Sequence, residues 1–221
     1  MQTRLDHLVI GAADLPQGIA FVREKLGVDI PFGGTHEKMA THNHLLSLGD
    51  DVFLEVIAID PQTPSPERPR WFGLDDPYVR RQIQEKPALL TWVVNTHDIQ
   101  KLLQASAFPF GKAELLRRGD LSWYFGLPED GRLLAGGMLP YVIQWRTTSH
   151  PARRMVGRGC RLEALAIHHP HATWLQSVLE SIGAADLVNV HPLPANQTPY
   201  LLATIETRAA RVELQTATKA L

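Results

Sequence analysis

Val52-Phe53-Leu54-Glu55-Val56-Ile57-Ala58-Ile59 is a short apolar run, rich in β-branched and aromatic residues and bounded by Asp51 and by Asp60-Pro61. That composition reads as a buried strand. Glu55 stands in its middle, where a carboxylate is costly unless it is paired, hydrogen-bonded, protonated or bound to a metal. A second run, Leu5-Asp6-His7-Leu8-Val9-Ile10, puts His7 in the same setting. Neighbouring strands of this kind bring an imidazole and a carboxylate to one point.

Working outward, the first strand is followed by Gly11-Ala12-Ala13-Asp14-Leu15-Pro16, with Asp14 suited to a helix N-cap and Pro16 to the first turn. Ile19, Phe21, Val22 and Leu26 give a helical face that Gly27 stops. Val28–Phe32 reads as a short strand, Gly33-Gly34 as a turn, Met39–Leu48 as a further strand and Gly49-Asp50-Asp51 as a hairpin turn. The order is β-α-β-β-β. It recurs from Leu89–Val94 through a helix at Ile99, Leu102 and Leu103 to Ser122–Gly126 and Tyr141–Trp145. A third copy opens at Leu162–Ile167, continues in a helix over Ala172–Ile182, and ends in strands Tyr200–Glu206 and Arg211–Gln215. Laying the copies together pairs His7 with Thr91 and Ala164, and Glu55 with Gln144 and Glu213. These positions predict an α+β protein with a paired domain over 1–150 (modules 1–60 and 88–147, linker 61–87) and a third module over 160–217. The linker begins with the proline-rich stretch Pro61 to Arg70 and ends in the apolar knot Trp71-Phe72-Gly73-Leu74, which must be buried somewhere.

The 221 residues are 44% hydrophobic and 20% charged with a formal net charge of -1, so the balance points to no nucleic-acid or acidic-membrane partner. The one cysteine, Cys160, excludes an internal disulfide and favours a reducing, cytoplasmic setting. No apolar run approaches the roughly 18 residues of a membrane span, and Met1-Gln2-Thr3-Arg4 runs straight into the first strand with no signal-like segment.

The candidate chemistry centres on His7 and Glu55. An imidazole nitrogen and a carboxylate oxygen suit Zn, Fe, Mn, Ni or Co, and equally suit a buried hydrogen bond between two polar side chains. His36, at the turn before the Thr41-His42-Asn43-His44 stretch, is a third ligand, a general base, or neither. With Leu45 as the apolar marker, Thr41 and Asn43 share its face and point inward as substrate contacts, or else form an exposed edge pair. Trp71, Trp123 and Trp145 are candidates to line a pocket, with Thr91 and Gln144 as the second module's counterparts of His7 and Glu55. Lys112 and Arg117-Arg118 either receive an anionic group or are surface charges.

The collinear set Leu5-Asp6-His7-Leu8-Val9, Asp14-Leu15, His36…Thr41-His42-Asn43-His44-Leu45, Phe53-Leu54-Glu55, Leu139-Pro140-Tyr141-Val142-Ile143-Gln144-Trp145 and His150-Pro151 resembles the vicinal oxygen chelate superfamily, and within it the glyoxalase-like domain proteins. The resemblance implies paired modules whose curled sheets form a cup around a small molecule. It also implies a divalent metal held there by both modules and acting as a Lewis acid toward a small oxygenated organic compound. Superfamily activities include isomerisation, lyase chemistry, ring-cleaving dioxygenation, epimerisation and antibiotic sequestration. His7 and Glu55 match two ligand positions, whereas Thr91 and Gln144 depart from the other two. A glyoxalase-like metal-dependent enzyme and a metal-free small-molecule binder of the same fold are therefore both expected readings. A homodimer that exchanges modules between subunits is also open.

Overall fold

The structure is a computed structural model that describes residues 2–49 and 51–217. Module one contains β1 (Thr3–Gly11), α1 (Leu15–Leu26), β2 (Phe32–His36), β3 (Thr41–Ser47) and β4 (Phe53–Ile59). The linker carries a 3-10 turn at Trp71–Gly73 and α2 (Pro77–Glu85). Module two contains β5 (Ala88–Thr96), α3 (Ile99–Ala105), β6 (Lys112–Arg118), β7 (Leu121–Leu127) and β8 (Tyr141–Trp145). The last unit contains β9 (Arg161–His169), α4 (Ala172–Ser181), β10 (Asn189–Pro192), β11 (Tyr200–Glu206) and β12 (Arg211–Gln215).

The first two modules form one eight-stranded sheet in the order β2-β3-β4-β1-β5-β8-β7-β6. Within each module the first strand lies parallel to the fourth, β1 to β4 and β5 to β8, and the two first strands meet antiparallel at the centre. The modules thus pair within one chain. The sheet curls until its two edge strands face each other, where Lys38 beside β2 reaches Glu114 of β6 at 2.7 Å. Leu15, Gly18, Val22 and Leu26 of α1 and Ile99 and Leu102 of α3 are buried on the convex side, which leaves the concave face as a cup.

Local chemistry sets these elements. Asp14 caps α1 by accepting from the Gln17 N–H, and Gly27 ends it at φ 69° with its N–H on the Arg23 carbonyl. Where the sequence suggests a strand over 28–32 and a turn at Gly33-Gly34, the strand is instead Phe32–His36, with both glycines inside it. The reason is close packing: a Cβ at Gly33 would lie 2.4 Å from Asn43 Oδ1 and 2.6 Å from Leu45 Cγ, so glycine lets β2 close on β3. The Gly49-Asp50-Asp51 turn includes Asp50, which lies outside the described residues. The apolar knot of the linker is buried through Trp71, Phe72 and Leu74. Phe72 takes φ 57°, a left-handed backbone that bulky residues seldom adopt, and its ring lies 4.9 Å from Tyr141.

The third unit keeps the β-α-β-β-β order but pairs differently, as β10-β9-β11-β12 with β9 parallel to β10. Thr204 of β11 stands between Ala164 and Glu213, so these two do not meet as His7 and Glu55 do. The unit docks through the Leu162 N–H on the Leu48 carbonyl and the Thr3 hydroxyl on the Gly183 carbonyl. Its Leu165, Ile167, Leu175, Leu179 and Leu201 join the same apolar core as the modules. Leu175, Val178 and Leu179 of α4 are therefore buried within the chain.

Candidate functional site

His7 and Glu55 converge in the cup. Register places His7 opposite Phe53 and Val9 opposite Glu55 on the parallel pair β1–β4, and the Nε2 of His7 lies 3.6 Å from a Glu55 carboxylate oxygen. Behind His7 stands Asp6, fully buried, with its Oδ1 2.6 Å from His7 Nδ1. Adjacent residues of a regular strand face opposite ways. Here the ladder between β1 and β5 slips between Leu5 and His7, and this bulge at Asp6 lets the two neighbours bond each other.

The other Asp6 oxygen, Oδ2, accepts from Asn95 Nδ2 at 3.0 Å, Trp145 Nε1 at 2.8 Å and His150 Nε2 at 2.8 Å. Burial alone would raise the Asp6 pKa, but the hydrogen bonds and charges of His150 and His7 override it and hold the carboxyl far below the usual carboxylate range. A permanently ionised Asp6 keeps a proton on His7 Nδ1 and aims Nε2 at Glu55.

Asn43 holds the other side of Glu55, donating from Nδ2 to Oε1 while its Oδ1 accepts from Arg118 at 3.1 Å. Carboxylates only accept and guanidinium groups only donate, which fixes the amide orientation. The same Arg118 nitrogen lies 3.3 Å from His36 Nε2, and His36 Nδ1 lies 3.1 Å from the Thr41 hydroxyl. Because Arg118 can only donate, His36 accepts at Nε2 and carries its proton on Nδ1. Burial, and then the charge of Arg118, push the His36 pKa well below 6.5. His36 is thus a neutral imidazole whose lone pair is taken up by Arg118, and Thr41 orients it from outside the cup lining.

This has a consequence for stability. Unfolded, His36 would bind a proton near its ordinary 6.5, whereas folded it does not. Stability therefore rises with pH in this range and is lost as pH falls below 6.5 toward the folded value, by on the order of 1 kcal/mol per pH unit. Urea unfolding at about pH 7.5 and about pH 5.5 should show the loss, and His36→Gln should reduce it. A variant with the pH dependence of the unmodified chain contradicts the neutral-imidazole assignment.

The second module contributes differently from expectation. Gln144 is turned away from the cup, where its Oε1 accepts from the Ile99 N–H and caps α3. Its neighbours Ile143 and Trp145 line the cup instead. Register explains the swap: Val93 pairs with Tyr141 as His7 pairs with Phe53, which puts Ile143 at the level of Glu55. Thr91 is fully buried with its hydroxyl on the Leu139 carbonyl at 3.4 Å, outside the lining. Trp71, Trp123 and Trp145 all border the cavity, with Phe53, Phe72 and Phe125.

The free space is about 30 Å³, room for one or two water molecules. Roomier open clefts, of about 650 Å³ beside α1, α2 and β12 and about 880 Å³ beside residues 62–68, have no histidine in their walls. The donor set does not fit a metal centre. Among the described residues no group of three or more His, Cys, Asp or Glu side chains is arranged so that it could hold a metal ion, and Asn43 links Glu55 to the Arg118 guanidinium. A catalytic zinc typically takes three protein ligands.

Among known proteins, a family model described as a glyoxalase-like domain matches residues 5–183. No curated protein sequence matches the chain. A hypothetical protein from Staphylococcus aureus shares the fold, with TM-score 0.59 and 14% identity over 100% of this chain and 88% of that one. A methylmalonyl-CoA epimerase variant from Streptomyces coelicolor, in complex with 2-nitronate-propionyl-CoA, aligns at TM-score 0.44 and 16% identity over 68% of this chain and 100% of its own. A 4-hydroxymandelate synthase mutant from the same organism aligns at 0.44 and 14% over 97% of this chain and 62% of its own. No helix among the described residues is long and apolar enough to cross a membrane. With the match spanning both modules and the start of the third unit, the chain belongs to the glyoxalase-like domain family.

Proposed function

We propose that the cup is a metal-independent proton-transfer site for a small oxygenated organic compound, with Glu55 as the base. The single observation that carries this reading is the convergence of His7 Nε2 and Glu55 at 3.6 Å inside a cavity, with an ionised Asp6 behind the imidazole. A substrate with a C–H bond next to a carbonyl would lose that proton to Glu55. The bonding pair would pass into a C=C bond and leave negative charge on the carbonyl oxygen, which Arg118 offsets. His7 would exchange the captured proton with Glu55, and Asp6 acts on it as a positioning residue. Isomerases, epimerases and many lyases share this enolate step. The single Cys160, buried, suits a cytoplasmic setting.

The alternative is a binder that holds a compound without reacting it, favoured by the aromatic lining of Trp71, Trp123 and Trp145. Deuterium incorporation beside the carbonyl of small oxo-compounds in D₂O separates the two. Exchange that Glu55→Gln abolishes supports proton transfer, and saturable binding with no exchange supports the holder.

A further inference from the structure

Arg118 carries the strongest unanswered charge in the cup. It is the last residue of β6, reaches across the seam of the sheet to β2 and β3, and is half-buried at the cavity. One of its nitrogens contacts His36 and Asn43, and among the described residues it makes no ion pair. Asn43 stands between it and Glu55, so the guanidinium and the carboxylate are bridged rather than joined. A guanidinium has five N–H donors, and most of this one's have no partner. A second observation is independent of the first. Trp71, 3% exposed, lines the same cavity, and its Nε1–H is buried without a hydrogen-bond partner. The two donors flank one ring, because His36 lies 4.9 Å from the Trp71 ring and bonds Arg118. Buried donors of native proteins are almost always satisfied.

We infer that the cup takes a small organic acid, with its carboxylate received by the free edge of Arg118 and by Trp71 Nε1–H and its adjoining carbonyl end facing Glu55. This rests on the cup being the ligand site proposed above. Arg118 and Trp145 are the partly exposed members of the lining and the rest are buried, so the way in runs between them. The space available holds no more than water until a side chain yields, and Arg118, anchored at a strand end, can turn outward and bring the acid in with it. A planar guanidinium matches a carboxylate with two parallel hydrogen bonds, which a lysine cannot reproduce.

Quenching of the cup tryptophans tests the inference, with pyruvate and 2-oxobutyrate as probes beside their methyl esters and inorganic phosphate. The acids should bind saturably, with the esters about tenfold or more weaker. Arg118→Ala should weaken acid binding by about tenfold or more, with Arg118→Lys between. Circular dichroism melting of each variant shows whether it is folded, and Arg118→Lys carries the comparison if the alanine variant is not. Esters that bind as well as acids, an unchanged Arg118→Ala, binding of phosphate but not of the acids, or no acid binding would overturn the inference. Deuterium exchange at C3 of pyruvate in the same samples separates it from the reading above. Acid-selective binding without exchange sinks proton transfer and leaves the acid site standing, while exchange without acid preference does the reverse.

Discussion

Asp6→Ala is expected to destabilise the folded chain by about 3–5 kcal/mol, the range for stripping one partner from a buried charged network. Asp6 is fully buried and accepts from His7, Asn95, Trp145 and His150, which come from three separate parts of the chain. Removing the carboxylate leaves those donors facing an empty space, and each unsatisfied buried group costs about 1–3 kcal/mol. Some of that is recovered as the side chains relax or admit water, which is why the simple total is not expected. Asp6→Asn should cost less, because one oxygen still accepts, but its amide hydrogens would confront other donors. The pH sign follows from the lowered folded pKa. The contribution of Asp6 is present above its unfolded value, 3.8, and is lost as pH falls through the folded one. Urea titration followed by tryptophan fluorescence measures the cost, and a loss under about 1 kcal/mol, no more than one ordinary hydrogen bond, means that Asp6 is not the hub of the domain.

Glu55→Gln should have the opposite profile. It removes a buried charge while keeping the acceptor that Asn43 binds, so the fold should be about as stable as before or slightly more so. Proton exchange with a bound oxo-acid should fall by about 10²–10⁴-fold, the usual contribution of a positioned base. A purely structural Glu55 would predict the reverse, with stability lost and no exchange to lose. Measuring exchange and melting on one preparation reads both at once. A variant that keeps exchange places the base elsewhere in the cup.

Much of this arrangement is legible in the residues, and the rest is hidden for identifiable reasons. His7 and Glu55 stand out because each interrupts an apolar strand, and their distance in the fold follows from β1 lying parallel to β4. Gln144 misleads because strand parity decides facing, and a one-residue error in register moves every side chain to the other side. Asp6 is invisible beside His7, since only the bulge between Leu5 and His7 lets neighbouring residues bond each other. The strand that delivers Arg118, Lys112–Arg118, is half charged and lacks clean alternation, because it is an edge strand closing the cup. The third unit shows a separate limit. Its element order repeats that of the modules, but order alone does not choose which strands pair, and β10 takes the place beside β9.

The most direct test of the account is exchange at C3 of pyruvate by protein stripped of metal with a chelator, compared with the same protein after each divalent metal is restored. Two protein donors and a guanidinium in the cup predict that Glu55-dependent exchange persists in the stripped protein and does not rise when metal is added. Exchange that vanishes on stripping and returns with one particular metal, through His7 and Glu55, would contradict it.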